Sequence, residues 1–447
     1  MATAIRDRLV ARSVAARYAL FVGLGAVLSI AGLILFLVSI SGDGSDRAWQ
    51  LFHVNWLYFT GLTGGSVALV AVQKITKARW SGLTIRFAEA VSAFLPISFV
   101  GFLLIFTVGY PHIYPEMTGL SSAKALWLSH DWMFWRLFIG LLVLYIVGFR
   151  LIKADLVPDL FEMKGSVTGF RRKLYESWTA DYDGTSVAMV RQNERIFALA
   201  PTFVVLYALV FTLVAFDGIM ALQPHWFSNL LGGFYFMGSF LGAHMLLALL
   251  MLYGRNEVGI ADLVSPKQRH DLGKLCFGFT VFWAYLMWAQ FLVIWYGNLP
   301  EETGFVFARL WGPWLPVGRA VFLGMFIIPF FGLLGVQPKK TPFTFGLFAT
   351  ISVCSLWLER YLLVLPSVTH QAGPVFGLPE LGPTLLHLGL FLFSYALFAR
   401  TFPMVSPRLA EITLEFERGH AHGEYEHEES PADYVGAAAS ERRHGPR

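Results

Sequence analysis

Ten mostly apolar stretches of about 20 residues or more divide this chain, and their length is the strongest constraint on its fold. They lie near 18–40, 49–73, 88–110, 131–152, 196–217, 226–253, 272–297, 318–337, 343–366 and 384–404. A helix needs roughly 20 residues to cross the hydrocarbon core of a bilayer. Lipid offers the backbone no hydrogen bonds, so each apolar run must close its own as a helix. Ten helices of about 24 residues would use about 240 residues. Apolar types make up 56 % of the 447 residues. Charged types make up only 14 %, where a soluble domain carries about 25 %. The expectation is an all-α polytopic membrane protein with about ten transmembrane helices.

The basic residues predict an orientation. All but six of the 34 Lys and Arg residues fall in the N-terminal arm, in every second loop and in the C-terminal region. The exceptions are Arg47, Lys124, Arg309 and Arg319 in the alternate loops, with Arg136 and Arg360 inside spans. Basic loops stay cytoplasmic, so both termini are expected there, and an even number of spans follows. The first span lacks a small-residue cleavage site at Val38-Ser39-Ile40 and reads as a retained helix. The resulting organisation is a cytoplasmic arm at 1–17, four spans over 18–152, a charged cytoplasmic loop at 153–195, six spans over 196–404 and a tail at 405–447. The loop is expected to carry an amphipathic interfacial helix. The tail, with His420, His422, His427 and His444 among acids, reads as disordered and solvated.

Several chemistries find no support. Cys276 and Cys354 sit inside apolar runs, without the spacing that attaches haem covalently, binds zinc or holds an iron–sulfur cluster. Nucleic-acid binding has no basic motif behind it. Gly61, Gly64 and Gly65 lie mid-span with no preceding strand, so they read as close helix packing rather than a phosphate loop. Trp283, Tyr285, Trp288 and Trp295 read as lipid-facing or interhelical, and spacing alone does not single out a groove for a quinone tail.

Ionisable residues inside apolar runs are a different matter, since a charge near the bilayer centre costs at least ~2.5 kcal/mol. His53, His130, Asp131, Arg136, Asp217, His225, Glu359, Arg360 and His387 fall in one layer near the outer ends of their spans. Glu89, Asp271 and Lys274 lie nearer the cytoplasm, and His244 is close to the midplane. Carboxylates and imidazoles at one depth suit proton release or a quinol head group, because a quinol sheds two protons with its two electrons. Arg360 is expected to pair with Glu359 or with a carboxylate on a neighbouring helix. Asp217, His225, Glu359 and Arg360 are candidates for an outward proton path, with Glu89, His244, Asp271 and Lys274 as its cytoplasmic half. Only His53 and His387 share a depth, and both are shallow, so no b-type haem is expected.

Four stretches carry a resemblance: FHVNWLYFTGLTGGS (52–66), FDGIMALQPHWFS (216–228), HDLGKLCFGFTVFWAYLMWAQFLVIWYGNLPEET (270–303) and LERYLLVLPSV (358–368). Over about residues 15–405 the chain resembles the NrfD/polysulfide-reductase membrane-subunit family. Within it, the chain looks most like the second NrfD-like subunit of bacterial alternative complex III, a quinol:cytochrome c oxidoreductase. The resemblance implies two four-helix bundles, from spans two to five and six to nine, flanked by the first and last helices. It also implies a bacterial inner-membrane complex with quinol or menaquinol as substrate. The partners implied are a first NrfD-like subunit, an iron–sulfur subunit and c-type cytochromes, so those cofactors would sit on partner chains. One residue departs from the pattern. The first NrfD-like subunit carries a histidine where this chain has Leu62, and a leucine accepts no quinol proton. That departure weighs toward a proton-conducting or structural role. A secondary transporter, or a plain membrane anchor for an outer iron–sulfur subunit, remains the alternative.

The charge pattern makes a prediction about topology. Reporter fusions at the C-terminus and within 367–383 should report opposite sides of the membrane, and a periplasmic C-terminus would overturn the assignment.

Overall fold

The computed structural model describes residues 18–42, 44–369 and 373–421, with side chains given up to residue 419. Ten long helices run through it: α1 (Ala19–Ile40), α2 (Ser45–Ile75), α3 (Ile85–Ile113), α4 (His130–Ser166), α5 (Ser186–Leu222), α6 (Leu231–Glu257), α7 (Pro266–Gly297), α8 (Gly312–Leu334), α9 (Pro342–Val368) and α10 (Leu378–Thr401). Among the described residues nine of these are long and apolar enough to cross a membrane, and α2 is the exception. The chain is an all-α polytopic membrane protein. Helices α2–α5 form one bundle and α6–α9 a second, and they meet where α2 and α5 pack on α6 and where α2 packs on α9. Helices α1 and α10 pair along their lengths and lie against α2 and α3.

Helix α2 spans about 46 Å at 1.5 Å per residue, enough to cross, yet its polar residues lower its hydropathy. Every residue from Ala48 to Ala71 is buried. Protein, not lipid, surrounds this helix, so a polar side chain needs only a partner. Asn55 donates to Thr384 Oγ1 of α10 at 3.0 Å and accepts from Trp357 Nε1 of α9 at 2.9 Å. Trp56 Nε1 donates to the Ser98 carbonyl of α3 at 2.8 Å, and Thr60, Ser98 and Tyr145 form a hydroxyl chain from α2 through α3 to α4.

Small residues set the closest approaches. A Cβ on Gly61 would stand 2.6 Å from Ser239 Oγ, and one on Gly65 would stand 2.5 Å from the Ser239 carbonyl oxygen. These glycines therefore bring α2 against α6, which is the packing role read from the sequence. The same device joins α1 to α10: a Cβ on Gly25 would meet the Phe393 nitrogen at 2.7 Å, and one on Gly32 would overlap the backbone at Leu386.

Three boundaries differ from expectation. Helix α4 does not stop at 152: it stays α-helical to Met163, and Asp155 and Asp159 are buried within it. Helix α5 begins at Ser186 rather than 196, so the charged loop shortens to about 167–185 around the short helix Gly169–Trp178. Hydropathy falls at 153 because those turns face protein rather than lipid. The tail is not solvated from 405 either. Helix α11 (Pro407–Ala421) docks beside the 76–84 loop, with Thr413 Oγ1 accepting from the Gly82 N–H and donating to the Arg79 carbonyl, and with Ala410 fully buried. Residues 1–17 and His422, His427 and His444 lie outside the described residues.

The end carrying the Lys- and Arg-rich loops is called the basic end below, and the other the opposite end. The packing makes a prediction. Gly65→Ala should cost about 1–3 kcal/mol and lower the melting temperature of the purified chain, because its methyl meets backbone that has nowhere to move. Gly278→Ala, with nothing within 4 Å, should leave it unchanged.

Candidate functional site

Two buried polar clusters lie toward the opposite end, one in each bundle. In the first, Arg136 of α4 donates from Nε to Asp217 Oδ2 at 2.7 Å and from a terminal nitrogen to Asp217 Oδ1. Its other terminal nitrogen donates to the Trp127 carbonyl at 2.7 Å, and the guanidinium lies 4.1 Å from the Trp127 ring centre. Asp217 is wholly buried. Next to it the Gly218 carbonyl accepts from His53 Nε2 of α2 at 2.7 Å, while His53 Nδ1 has no partner. This bidentate pair links α4 to α5, and His53 links both to α2.

In the second bundle Arg360 of α9 reaches α6. It donates to the Tyr235 carbonyl and to Ser239 Oγ, both at 3.1 Å, and lies 4.3 Å from the Tyr235 ring centre. Its other terminal nitrogen is 2.7 Å from Glu359 Oε2, which is the pairing expected from the sequence. Consecutive helical residues point about 100° apart. Arg360 therefore faces α6, and Glu359 faces a cavity of about 400 Å³ bounded by α6, α7, α8, α9 and the short helix Pro300–Leu310.

The cavity wall is almost all apolar: Phe234, Met287, Phe291, Ile294, Val306, Leu315, Val321 and Leu362. Glu359 is the one carboxylate among its lining residues. Glu359 Oε1 has no hydrogen-bond partner, Oε2 faces the Arg360 guanidinium, and the buried Trp283 Nε1 on the same wall approaches the carboxylate. Exposed Trp288 and Phe322 line the same space, so it reaches the lipid-facing surface between α7 and α8. Glu359 sits nine residues before the end of α9, about 14 Å from the opposite end.

At the mouth nearest the opposite end lies Arg309. It donates to the carbonyls of Phe305 and Leu363 and to Ser367 Oγ, and its guanidinium is 3.3 Å from the Phe305 ring centre. Phe305 in turn stacks on Trp226 at 3.6 Å between centres. Burial, with no charge partner to offset it, pulls the Arg309 guanidinium's pKa down.

A third cluster lies at the basic end. Buried Arg86 of α3 is held by Glu89, Asp155 and Asp159 together, and its terminal nitrogen also donates to the Asp155 carbonyl at 2.9 Å. Lys74 Nζ reaches Asp155 at 2.6 Å, Arg408 reaches it at 3.5 Å, and Ser406 donates to Asp159 at 3.0 Å. A cavity of about 260 Å³ lined by Lys74, Asp155 and Arg408 opens beside this network.

The sequence candidates therefore divide. Glu359 and Arg360 share one cluster; Asp217, Arg136 and His53 share another; Glu89 belongs to the third. Asp131 is 91 % exposed and pairs only loosely with His130, 3.0 Å away, whose Nε2 donates to the Phe106 carbonyl in a π-type turn of α3. His225 is exposed in the α5–α6 loop, apart from Glu359. His387 donates from Nδ1 to the Pro383 carbonyl of its own helix at 2.9 Å, and His244 does the same to Phe240 at 2.8 Å between aromatic rings. Asp271 and Lys274 form a partly exposed pair one turn apart on α7, separate from Glu89. Sequence reasoning missed Arg86, Asp155, Asp159, Trp283 and Arg309. The signal for the first three was present as a Lys/Arg and Asp/Glu pattern flanking spans, but it reads as loop charge.

Compared with models of known protein families and with curated protein sequences, the chain matches none.

The first cluster yields a stability test. Asp217→Ala strands a largely buried Arg136 and should destabilise the chain by about 3–5 kcal/mol. The double change Arg136→Met with Asp217→Leu removes both charges and should recover most of that loss. Thermal unfolding of the three proteins checks both outcomes.

Proposed function

We propose that this chain is the quinol-interacting membrane subunit of a respiratory quinol:acceptor oxidoreductase, and that the quinol head group occupies the cavity beside Glu359. The observation that carries this reading is a buried carboxylate, the one among the lining residues, on the wall of an apolar, lipid-reaching cavity, with its Oε1 unpartnered. A quinol hydroxyl needs an acceptor for its proton, and a carboxylate in an apolar surround serves as a general base. The Trp283 N–H, on the same wall beside Glu359, offers a donor to the ring oxygen that meets the carboxylate. Phe234 and Phe291 offer the flat apolar contacts a quinoid ring fills, and the gap past Trp288 and Phe322 lets an isoprenoid tail lie in lipid.

The place of the cavity also answers the departure at Leu62. That side chain is 2 % exposed and packs against Gly242, so the α2 position has no room for a ligand. The proposed site lies in the second bundle. Oxidation of a quinol to a quinone releases two protons and two electrons. Glu359 takes one proton, the second leaves to water at the opposite face, and the two electrons pass to a redox acceptor on a partner chain, which the resemblance implies is an iron–sulfur and c-haem assembly at that face. By the positive-inside rule that face is the periplasmic one, and the basic end is cytoplasmic in the bacterial inner membrane.

The basic-end network favours a second contribution, proton conduction. Its cavity brings the solvent side to Asp155, a carboxylate already held beside Glu89 and Arg86. A transporter draws less support. The midplane His244 is bonded to its own helix and enclosed by Phe240 and Phe279, whereas transporter sites gather polar groups at that depth.

Glu359→Gln keeps the size of the side chain and removes the titrating group. Turnover of a quinol with a cytochrome c or dye acceptor, per assembled complex, should fall by at least about 100-fold, the usual worth of a positioned base. Quenching of tryptophan fluorescence by a short-tailed quinol should persist with weaker affinity, and Trp283→Phe should weaken it further. Unchanged turnover and unchanged binding in Glu359→Gln would defeat the assignment.

A further inference from the structure

A second cavity, of about 520 Å³, lies at the basic end on the face of the first bundle away from the quinol pocket. Arg150 and Lys153 of α4 and Arg191 and Arg195 of α5 line it, with Trp178 of the short helix Gly169–Trp178 beside them. Lys153 Nζ stands 5.3 Å from the centre of the Trp178 ring. Gln192 fixes the two walls by donating to the Ala154 carbonyl at 2.6 Å, and it accepts from Arg195 at 3.4 Å. One acid, Asp181, lines the cavity, and it is exposed. Among the described residues none of the four cations stands within ion-pair distance of a carboxylate, and Asp183, which feels the Arg191 charge, is exposed outside the cavity, so the cavity presents a net positive charge.

The surface below the cavity is made for hydrocarbon. One to two turns deeper on α4, Val143 and Ile146 are 42 % and 45 % exposed, and about three to four turns past Arg195 on α5, Val205 and Leu209 are each 60 % exposed. Four cations at the interface above exposed apolar side chains on two adjacent helices match a molecule with an anionic head and acyl tails. A soluble anion would use the first half of this surface and leave the second idle. Trp178, half-buried, stands at the level where indole rings settle in a membrane interface.

We propose that this cavity binds the phosphate head group of an anionic phospholipid from the leaflet at the basic end, with its acyl chains along α4 and α5. The site is distinct from the quinol cavity, shares no residue with it, and does not depend on the reading of Glu359. Bound lipid here would hold the Gly169–Trp178 segment against the bundle.

The test uses the full chain in a neutral detergent, with thermal unfolding followed by tryptophan fluorescence. Cardiolipin, phosphatidylglycerol, phosphatidylcholine and inorganic phosphate are added in separate titrations. Cardiolipin and phosphatidylglycerol should raise Tm by on the order of 3 °C, with no rise from phosphatidylcholine or phosphate. Arg191→Gln with Arg195→Gln should abolish that rise, and Arg150→Gln on the facing helix should reduce it independently. Arg172→Gln with Lys173→Gln removes the same charge from the exposed neighbouring helix and should retain it. An equal rise in wild type and in both cavity variants would overturn the proposal, as would equal loss in all variants. A rise with phosphatidylcholine, a rise with phosphate alone, or no rise with wild type would also overturn it.

Discussion

The structure depends on enclosing one helix that lipid would not accept. Helix α2 carries Gln50, His53, Asn55, Thr60 and Thr63 along its length, all buried. In hydrocarbon each unpaired polar group would cost several kcal/mol. In this fold each neighbour contributes an answer: the Val368 carbonyl and Trp357 of α9, Thr384 of α10, Ser98 of α3 and the Gly218 carbonyl of α5. Gly61 and Gly65 bring α6 close enough to complete the enclosure. The two bundles are therefore joined through a polar axis wrapped in apolar helices, and the exposed apolar side chains fall on those outer helices, among them α1, α4, α5, α7 and α8.

Charge is distributed by the same rule. Arg136 with Asp217 and Arg360 with Glu359 neutralise one another toward the opposite end, and Arg86, Lys74 and Arg408 balance Glu89, Asp155 and Asp159 at the basic end. A buried pair is weak evidence for stability, because desolvation offsets much of its attraction. These pairs have a clearer consequence in geometry. The Arg136 fork ties two helices, and Arg360, shared among Tyr235, Ser239 and Glu359 Oε2, leaves Glu359 Oε1 facing the apolar cavity without a partner. The position of one arginine thus shapes the site proposed for quinol.

The candidate site was half legible in the sequence. Glu359 and Arg360 stand out because an ionisable residue in an apolar run is costly enough to need a reason. Trp283 does not stand out, since an indole on an apolar helix reads equally as packing; only its burial beside Glu359 in the folded site distinguishes it. His387 in the polar layer and His244 near the midplane looked like candidates, yet each is satisfied by a carbonyl four residues earlier, a bond that depends on rotamer and surroundings. Asp155 and Asp159 were hidden for the opposite reason. Past residue 152 the hydropathy falls, which marks the end of lipid contact but not the end of the helix.

The sequence by itself determined the class of protein and the number of long helices, because the bilayer demands about 20 apolar residues per crossing and the chain supplies nine such runs and a tenth more polar one. It also determined that small residues in FTGLTGGS would be packing sites. Only the tertiary structure decided which helix lies at the centre, that α11 docks instead of trailing into solvent, and which of the buried charges share a cavity. Those facts depend on which faces meet, and the direction of a side chain relative to its neighbours is set by packing across helices far apart in sequence.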